Sequence, residues 1–207
     1  MYARSTTLQA RPGTLDAGIA YVRDEVMPLV QGLDGFVGLS MLCDRDSGRC
    51  IITTSWADEA AMRASAEKVR DSRARAGEVV GDPSPTVEEW EVGAMHRVRE
   101  TGDGACARVI WTRAQAGQVE RILDAWRTTV PPQLERMPGF CSVSALIDRA
   151  GSRGVSAVSY ESREAMDRSA EQGLALRDKF AASVQLEITD VAEFDVVLAH
   201  LRVPETV

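Results

Sequence analysis

The chain has 207 residues, of which 44% are hydrophobic and 27% charged, and its formal net charge is −7. This length admits one large domain or two of about 100 residues, each able to bury a core. The acidic balance lacks the basic footprint of a nucleic-acid partner. No apolar run reaches the roughly 20 residues of a membrane helix, and no apolar signal core follows Met1, so no membrane partner is expected and the expected location is cytoplasmic. Cys43, Cys50, Cys106 and Cys141 show no CxxC spacing, so they read as small buried hydrophobes and no metal site is expected. A Cys43–Cys50 bridge across a hairpin is geometrically conceivable, but a reducing compartment argues against it.

Offsetting the sequence against itself by 104 positions pairs residues 2–98 with 106–202 without a gap. Identical pairs include Arg4/Arg108, Val26/Val130, Pro28/Pro132, Gly35/Gly139, Phe36/Phe140, Ser65/Ser169, Glu89/Glu193 and His96/His200. The expected organisation is therefore an N-terminal repeat over 1–99, a polar glycine-bearing linker over 100–105 and a C-terminal repeat over 106–207.

Each repeat reads alike. A first strand over 3–10 or 106–114 ends at a turn near Gly13 or Gly117. A helix follows, with Leu15, Ile19, Val22, Val26, Leu29 and Leu33 on one face, or Val119, Leu123, Trp126, Val130 and Met137. Pro28 and Pro132 should kink or stop it. Gly35-Phe36 and Gly139-Phe140 open a second strand, and a loop at Asp44–Arg49 or its counterpart returns the chain into a third over 51–56 or 155–160. Asp58 and Ser162 suit the N-cap of a second helix, with Met62 and Ser65 or Met166 and Ser169 on its inner face. In the last strand, alternation puts Trp90, Val92, Ala94 and His96 on one face, and Phe194, Val196, Leu198 and His200 in the copy. The order βαββαβ, twice, is an α+β plan of two ferredoxin-like repeats whose antiparallel sheets form an intramolecular pseudo-dimer, a dimeric α/β barrel within one chain. A further homodimer is compatible with it.

The run Met137-Pro138-Gly139-Phe140, an arginine-bearing hairpin, Val158-Ser159-Tyr160-Glu161-Ser162 and Ala165-Met166 resembles the antibiotic biosynthesis monooxygenase (ABM) family of dimeric α/β barrels. The first repeat departs slightly, with Asp34 before Gly35-Phe36 and Trp56-Ala57-Asp58 at the helix start. The resemblance implies either cofactor-independent, quinone-forming oxygenation or haem degradation. The haem-degrading members use an Asn, a Trp and a His; those positions fall on Thr6 and Ile110, on Ser65 and Ser169, and near Ala74 and Asp178. None matches, so no cofactor is expected.

His96 and His200 are the weak candidates for catalysis, weighed against ordinary strand-end residues inherited in duplicate. Trp111, Arg113, Met166 and Ser169 are the candidate contacts for a small aromatic ligand, with an open pocket expected at Trp111 and core filling at Trp126 and Phe180. The functional expectation is binding of a small apolar or aromatic molecule, with cofactor-independent oxygenation in the ABM manner, so that the enzyme reading is a cofactor-independent monooxygenase. The alternative is a non-catalytic ligand sensor or assembly module with a degenerate ancestral site.

Overall fold

The computed structural model describes residues 1–201, with the side chain of Leu201 left aside. The elements run β1 (Tyr2–Gln9), α1 (Leu15–Tyr21), a π-helical segment (Val22–Val26), α2 (Met27–Gln31), β2 (Phe36–Cys43), β3 (Arg49–Trp56), α3 (Glu59–Lys68), α4 (Arg70–Val80) and β4 (Thr86–Arg97). The second copy repeats them as β5 (Cys106–Arg113), α5 (Val119–Thr129), α6 (Pro131–Leu134), β6 (Phe140–Asp148), β7 (Arg153–Tyr160), α7 (Arg163–Arg168), α8 (Ala170–Val184) and β8 (Glu187–Leu201). The strands are hydrogen-bonded in the order β1-β3-β2-β8-β5-β7-β6-β4, a closed barrel. Two compact units divide the chain within strands: Met1–Trp90 with the end of β8 from Asp195 on, and Glu91–Phe194.

In the first unit β3 lies between β1 and β2 in antiparallel register, Tyr2 opposite Trp56 and Cys43 opposite Cys50, and the end of β8 pairs with β2. Cys43 and Cys50 are free thiols with sulfurs 3.2 Å apart. Leu8, Val22, Val30, Leu39, Met41 and Val80 form its core. In the second unit β7 lies between β5 and β6, and the end of β4 pairs with β6. Its core gathers Leu123, Trp126, Phe140, Met166, Leu176 and Phe180. Asp58 and Ser162 cap the second helices, accepting from the amides of Ala61 at 2.8 Å and Ala165 at 3.2 Å.

The Gly-Phe pairs have a steric cause. Gly35 and Gly139 have φ of +74° and +67°, and a Cβ there would stand 2.5 Å from the Ala61 Cβ or 2.4 Å from the Ala165 Cβ. Both the left-handed backbone and the approach of the second helix therefore demand glycine. Another close approach belongs to the first copy. Gly18 lies on α1 where a Cβ would fall 2.5 Å from Val80 Cγ1 of α4, and its counterpart in the second copy is Ile122, a core residue.

Two expectations are corrected. The face of the first helix was expected to carry Leu29 and Leu33; instead Val30 is fully buried and Leu29 is 39% exposed. The Met27 amide donates to the Val22 carbonyl, five residues back. This wide turn, placed before Pro28, rotates the following residues by about one position on the helix surface. In the second copy the helix instead ends at Thr129 and restarts at Pro131.

The last strands were expected to keep one face throughout, but β4 shifts register between Val92 and Ala94 in its pairing with β6, and β8 skips Val197 in its pairing with β2. These bulges, at equivalent positions, reverse the alternation. Trp90 donates to Ser5 on the face away from the helices, whereas Ala94 joins the core beneath the helices. His96 and His200 follow the second arrangement.

Gly139→Ala should destabilise the protein by about 3 kcal/mol, combining a left-handed alanine with overpacking against Ala165; thermal unfolding checks this. Residues 1–99 expressed alone leave the end of β4 without β6, so they should associate or aggregate on size exclusion, and a stable monomer would contradict this.

Candidate functional site

In the second unit a cavity of about 120 Å³ lies between the sheet and the helices. Alternation along β5 turns Arg108, Ile110 and Thr112 into it; β7 adds Ser156 and Val158, β6 adds Val143 and Ala145, α5 adds Ile122, Leu123 and Trp126, and α8 adds Gly173, Leu176 and Phe180. The wall is mostly aliphatic and aromatic, the usual lining for a small apolar ligand.

One end is polar. Arg108 Nε and Nη2 donate to Glu193 Oε1 at 3.0 and 2.7 Å, and Arg163 Nη1 donates to Glu193 Oε2 at 3.2 Å. Both carboxylate oxygens of Glu193 are thus engaged by cations. The remaining terminal nitrogen, Arg108 Nη1, stands 3.1 Å from the place a Gly173 Cβ would occupy, and the Tyr160 hydroxyl stands 3.9 Å from it. Glycine at this position keeps that end open. Tyr160 is 1% exposed, and its hydroxyl reaches the Met137 sulfur at 3.9 Å. Burial pushes the phenol pKa up, against the smaller opposing pull of Arg108. Tyr160 is therefore a neutral donor rather than a base. In the first unit the matching arginine differs: Arg4 Nη1 donates to Ser65 Oγ at 2.9 Å.

The residues expected to contact a ligand lie elsewhere. Trp111 and Arg113 alternate out of phase with Arg108, Ile110 and Thr112, and Trp111 packs edge-on against Phe194, centroids 6.4 Å apart. Met166 is fully buried in the core. Ser169 is also fully buried, its hydroxyl donating to the carbonyls of Ala165 at 2.9 Å and Pro138 at 3.2 Å. Trp126 and Phe180, read as core filling, belong to the core and also line the cavity. His96 stacks on Phe140 with Nε2 2.6 Å from Glu135 Oε1. His200 lies 3.3 Å from Gln31 Nε2. Because Gln31 and Glu135 are themselves 104 apart, the two histidines make equivalent contacts with helix ends, and neither lines the cavity. What the sequence reading passed over is Arg108, Tyr160, Gly173 and Glu193; the signal available was the identity of Arg4/Arg108 and Glu89/Glu193 across the copies.

The positions equivalent to a haem site do not fit that group. The Ser65 hydroxyl bonds to the Met62 carbonyl, Ser169 is engaged as above, and Asp178 holds Arg177 at 2.8 Å. Among the described residues, no group of three or more His, Cys, Asp or Glu is placed to hold a metal, and no helix is long and apolar enough to cross a membrane.

A family model described as "Antibiotic biosynthesis monooxygenase" matches residues 1–69. The uncharacterized protein Rv2557 of Mycobacterium tuberculosis H37Rv is 47% identical over 207 residues, covering 100% of this chain and 92% of the relative. A putative monooxygenase from Fusobacterium nucleatum superposes with a TM-score of 0.73 at 12% identity, covering 97% of this chain and 94% of its own. An anthrone oxidase-like protein gives 0.66 at 15%, covering 99% and 94%. At such identities these two structures share the fold.

Trp111→Ala should lower stability by about 2 kcal/mol through lost packing on Phe194. It should leave binding of aromatic probes in the cavity unchanged, which titration monitored through Trp126 would check.

Proposed function

We propose that this chain, which belongs to the antibiotic biosynthesis monooxygenase family, binds a small aromatic molecule bearing one oxygen acceptor in the cavity of its second unit. The observation that carries this reading is the juxtaposition of an apolar cavity with two donors at one end, Arg108 Nη1 and the Tyr160 hydroxyl. Size supports a single ring. A cavity of about 150 Å³ lined by aliphatic and aromatic groups accommodates benzene, and this one measures about 120 Å³. The apolar wall would hold the ring while the donors orient its carbonyl or phenolic oxygen.

Family membership supports small-molecule binding or oxygenation as the broader role. The same donors would stabilise an oxyanion formed when a phenol or enol loses its proton, which is what a cofactor-free oxygenation asks of the protein. The proton itself needs an acceptor. Glu193 is held by two arginines and Tyr160 is neutral, so binding is the better supported half of the reading, and a ligand-sensing role follows from the same geometry.

Acetophenone and ethylbenzene, which share a ring and differ in one carbonyl oxygen, separate the two parts of this proposal. Calorimetric titration should show both binding, with acetophenone about fivefold tighter, as one net hydrogen bond allows. Tyr160→Phe should reduce that preference, leaving Arg108 as the remaining donor, without changing ethylbenzene affinity. Gly173→Val, copying Val69 of the first repeat, should weaken both. Absence of binding by either compound would overturn the reading.

A further inference from the structure

The first unit contains the equivalent of this cavity, smaller at about 40 Å³. Each of its lining residues has a counterpart 104 positions later that lines the larger cavity, so the two are copies of one ancestral site. Their chemistry has parted. Thr6, Thr54 and Ser72 stand where the second copy has Ile110, Val158 and Leu176; in the other direction, Ile52 stands where it has Ser156.

The charge balance has parted further. Arg73 and Arg177 are equivalent, and both border their cavities. Arg177 donates to the adjacent Asp178 at 2.8 Å. In the first copy that neighbour is Ala74, and Arg73 Nη2 is buried with no hydrogen-bond partner among the described residues. The charged groups that face Arg73 are Arg4 and Glu89. Glu89 pairs with Arg4, whose Nε and Nη2 both donate to its Oε1 at 3.0 and 2.8 Å. Two guanidiniums and one carboxylate leave a net charge of +1 at the cavity. Burial pushes the Arg73 pKa down, helped by the repulsion of Arg4, and a guanidinium with an unanswered buried nitrogen is destabilising by itself.

We propose that the cavity of the first unit is a carboxylate site, in which Arg73 donates to the headgroup of a small organic acid. Three features select this ligand. One unbalanced positive charge asks for one negative charge. The planar fork of a guanidinium matches two carboxylate oxygens. The space, about 40 Å³ against about 120 Å³ in the second unit, suits a small headgroup and not a ring. The hydroxyls of Thr6 and Ser72 border the same space and can donate to the oxygens Arg73 leaves. This site is independent of the aromatic cavity in the second unit, and the proposal stands whether or not that cavity binds a ring.

The test uses the full chain with ¹⁵N-labelled arginine, titrated with sodium acetate at constant ionic strength against sodium chloride. The Arg73 side-chain NH signal, assigned by its loss in Arg73→Gln, should shift and saturate. Acetate at about a hundredfold its Kd should raise the wild-type Tm by at least about 3 °C. Arg73→Gln should melt at or above the wild type in chloride and lose the acetate response. Ala74→Asp, which reproduces the Arg177–Asp178 arrangement, should also abolish the response, and Arg177→Gln should keep it. A non-saturating shift equal to that in chloride, an acetate response retained by Arg73→Gln or Ala74→Asp, or tighter binding of inorganic phosphate than of acetate would each overturn the carboxylate assignment.

Discussion

Each unit is organised around a guanidinium that the fold removes from water. Arg4 is only 3% exposed, and it ties its own strand β1 to two other elements, through Glu89 of β4 and through the Met62 carbonyl and the Ser65 hydroxyl of α3. In the second unit Arg108 bonds Glu193 of β8, and Arg163 of α7 reaches the same carboxylate from the second helix. A charge at that depth fixes register, because a slip of one residue would turn the arginine to the other face and leave the carboxylate behind. First strand, last strand and second helix are therefore locked together at the point where each cavity has its polar end.

Around that shared anchor the copies have diverged by substitution at constant length. Where the first copy keeps hydroxyls, the second has branched aliphatics; where the first has an uncompensated arginine, the second has supplied an aspartate. Val69 fills the end that Gly173 leaves open, and the two arginines answer differently, Arg4 closing onto Ser65 and Arg108 keeping a nitrogen at the opening. Duplication frees one copy of a site to change while the other continues, and here the two sites share an outline and differ in lining.

The architecture was legible because its causes are local and repeated. The gapless offset of 104 exposes the duplication, capping residues mark the second helices, and Gly35 and Gly139 are visible as glycines before the steric reason for them is. Two kinds of feature resisted. The wide turn before Pro28 and the bulges at Gly93 and Val197 each add one residue to a period, and periodic reasoning carries such an error forward to every later position, which is how Leu29 and the two histidines were set on the wrong face. The second kind was the choice of strand face: Trp111 drew attention as a large aromatic, yet its neighbours Arg108, Ile110 and Thr112 were the ones turned toward the cavity. Long-range pairing hid Arg108 and Glu193, 85 residues apart, and only their recurrence as identities hinted at a bond.

Gly18 has a mechanical consequence. In the first unit α1 rests almost directly on Val80, because there is no side chain to stand between them. In the second, Ile122 occupies that place and also forms part of the cavity wall. The position behaves as a shim beneath a roof beam, with zero thickness in one half and four carbons in the other. Headroom over the sheet can then be altered by one codon, leaving the arginine anchor and its hydrogen bonds untouched. A lineage carrying this fold can resize its chamber independently of the groups that choose what enters it.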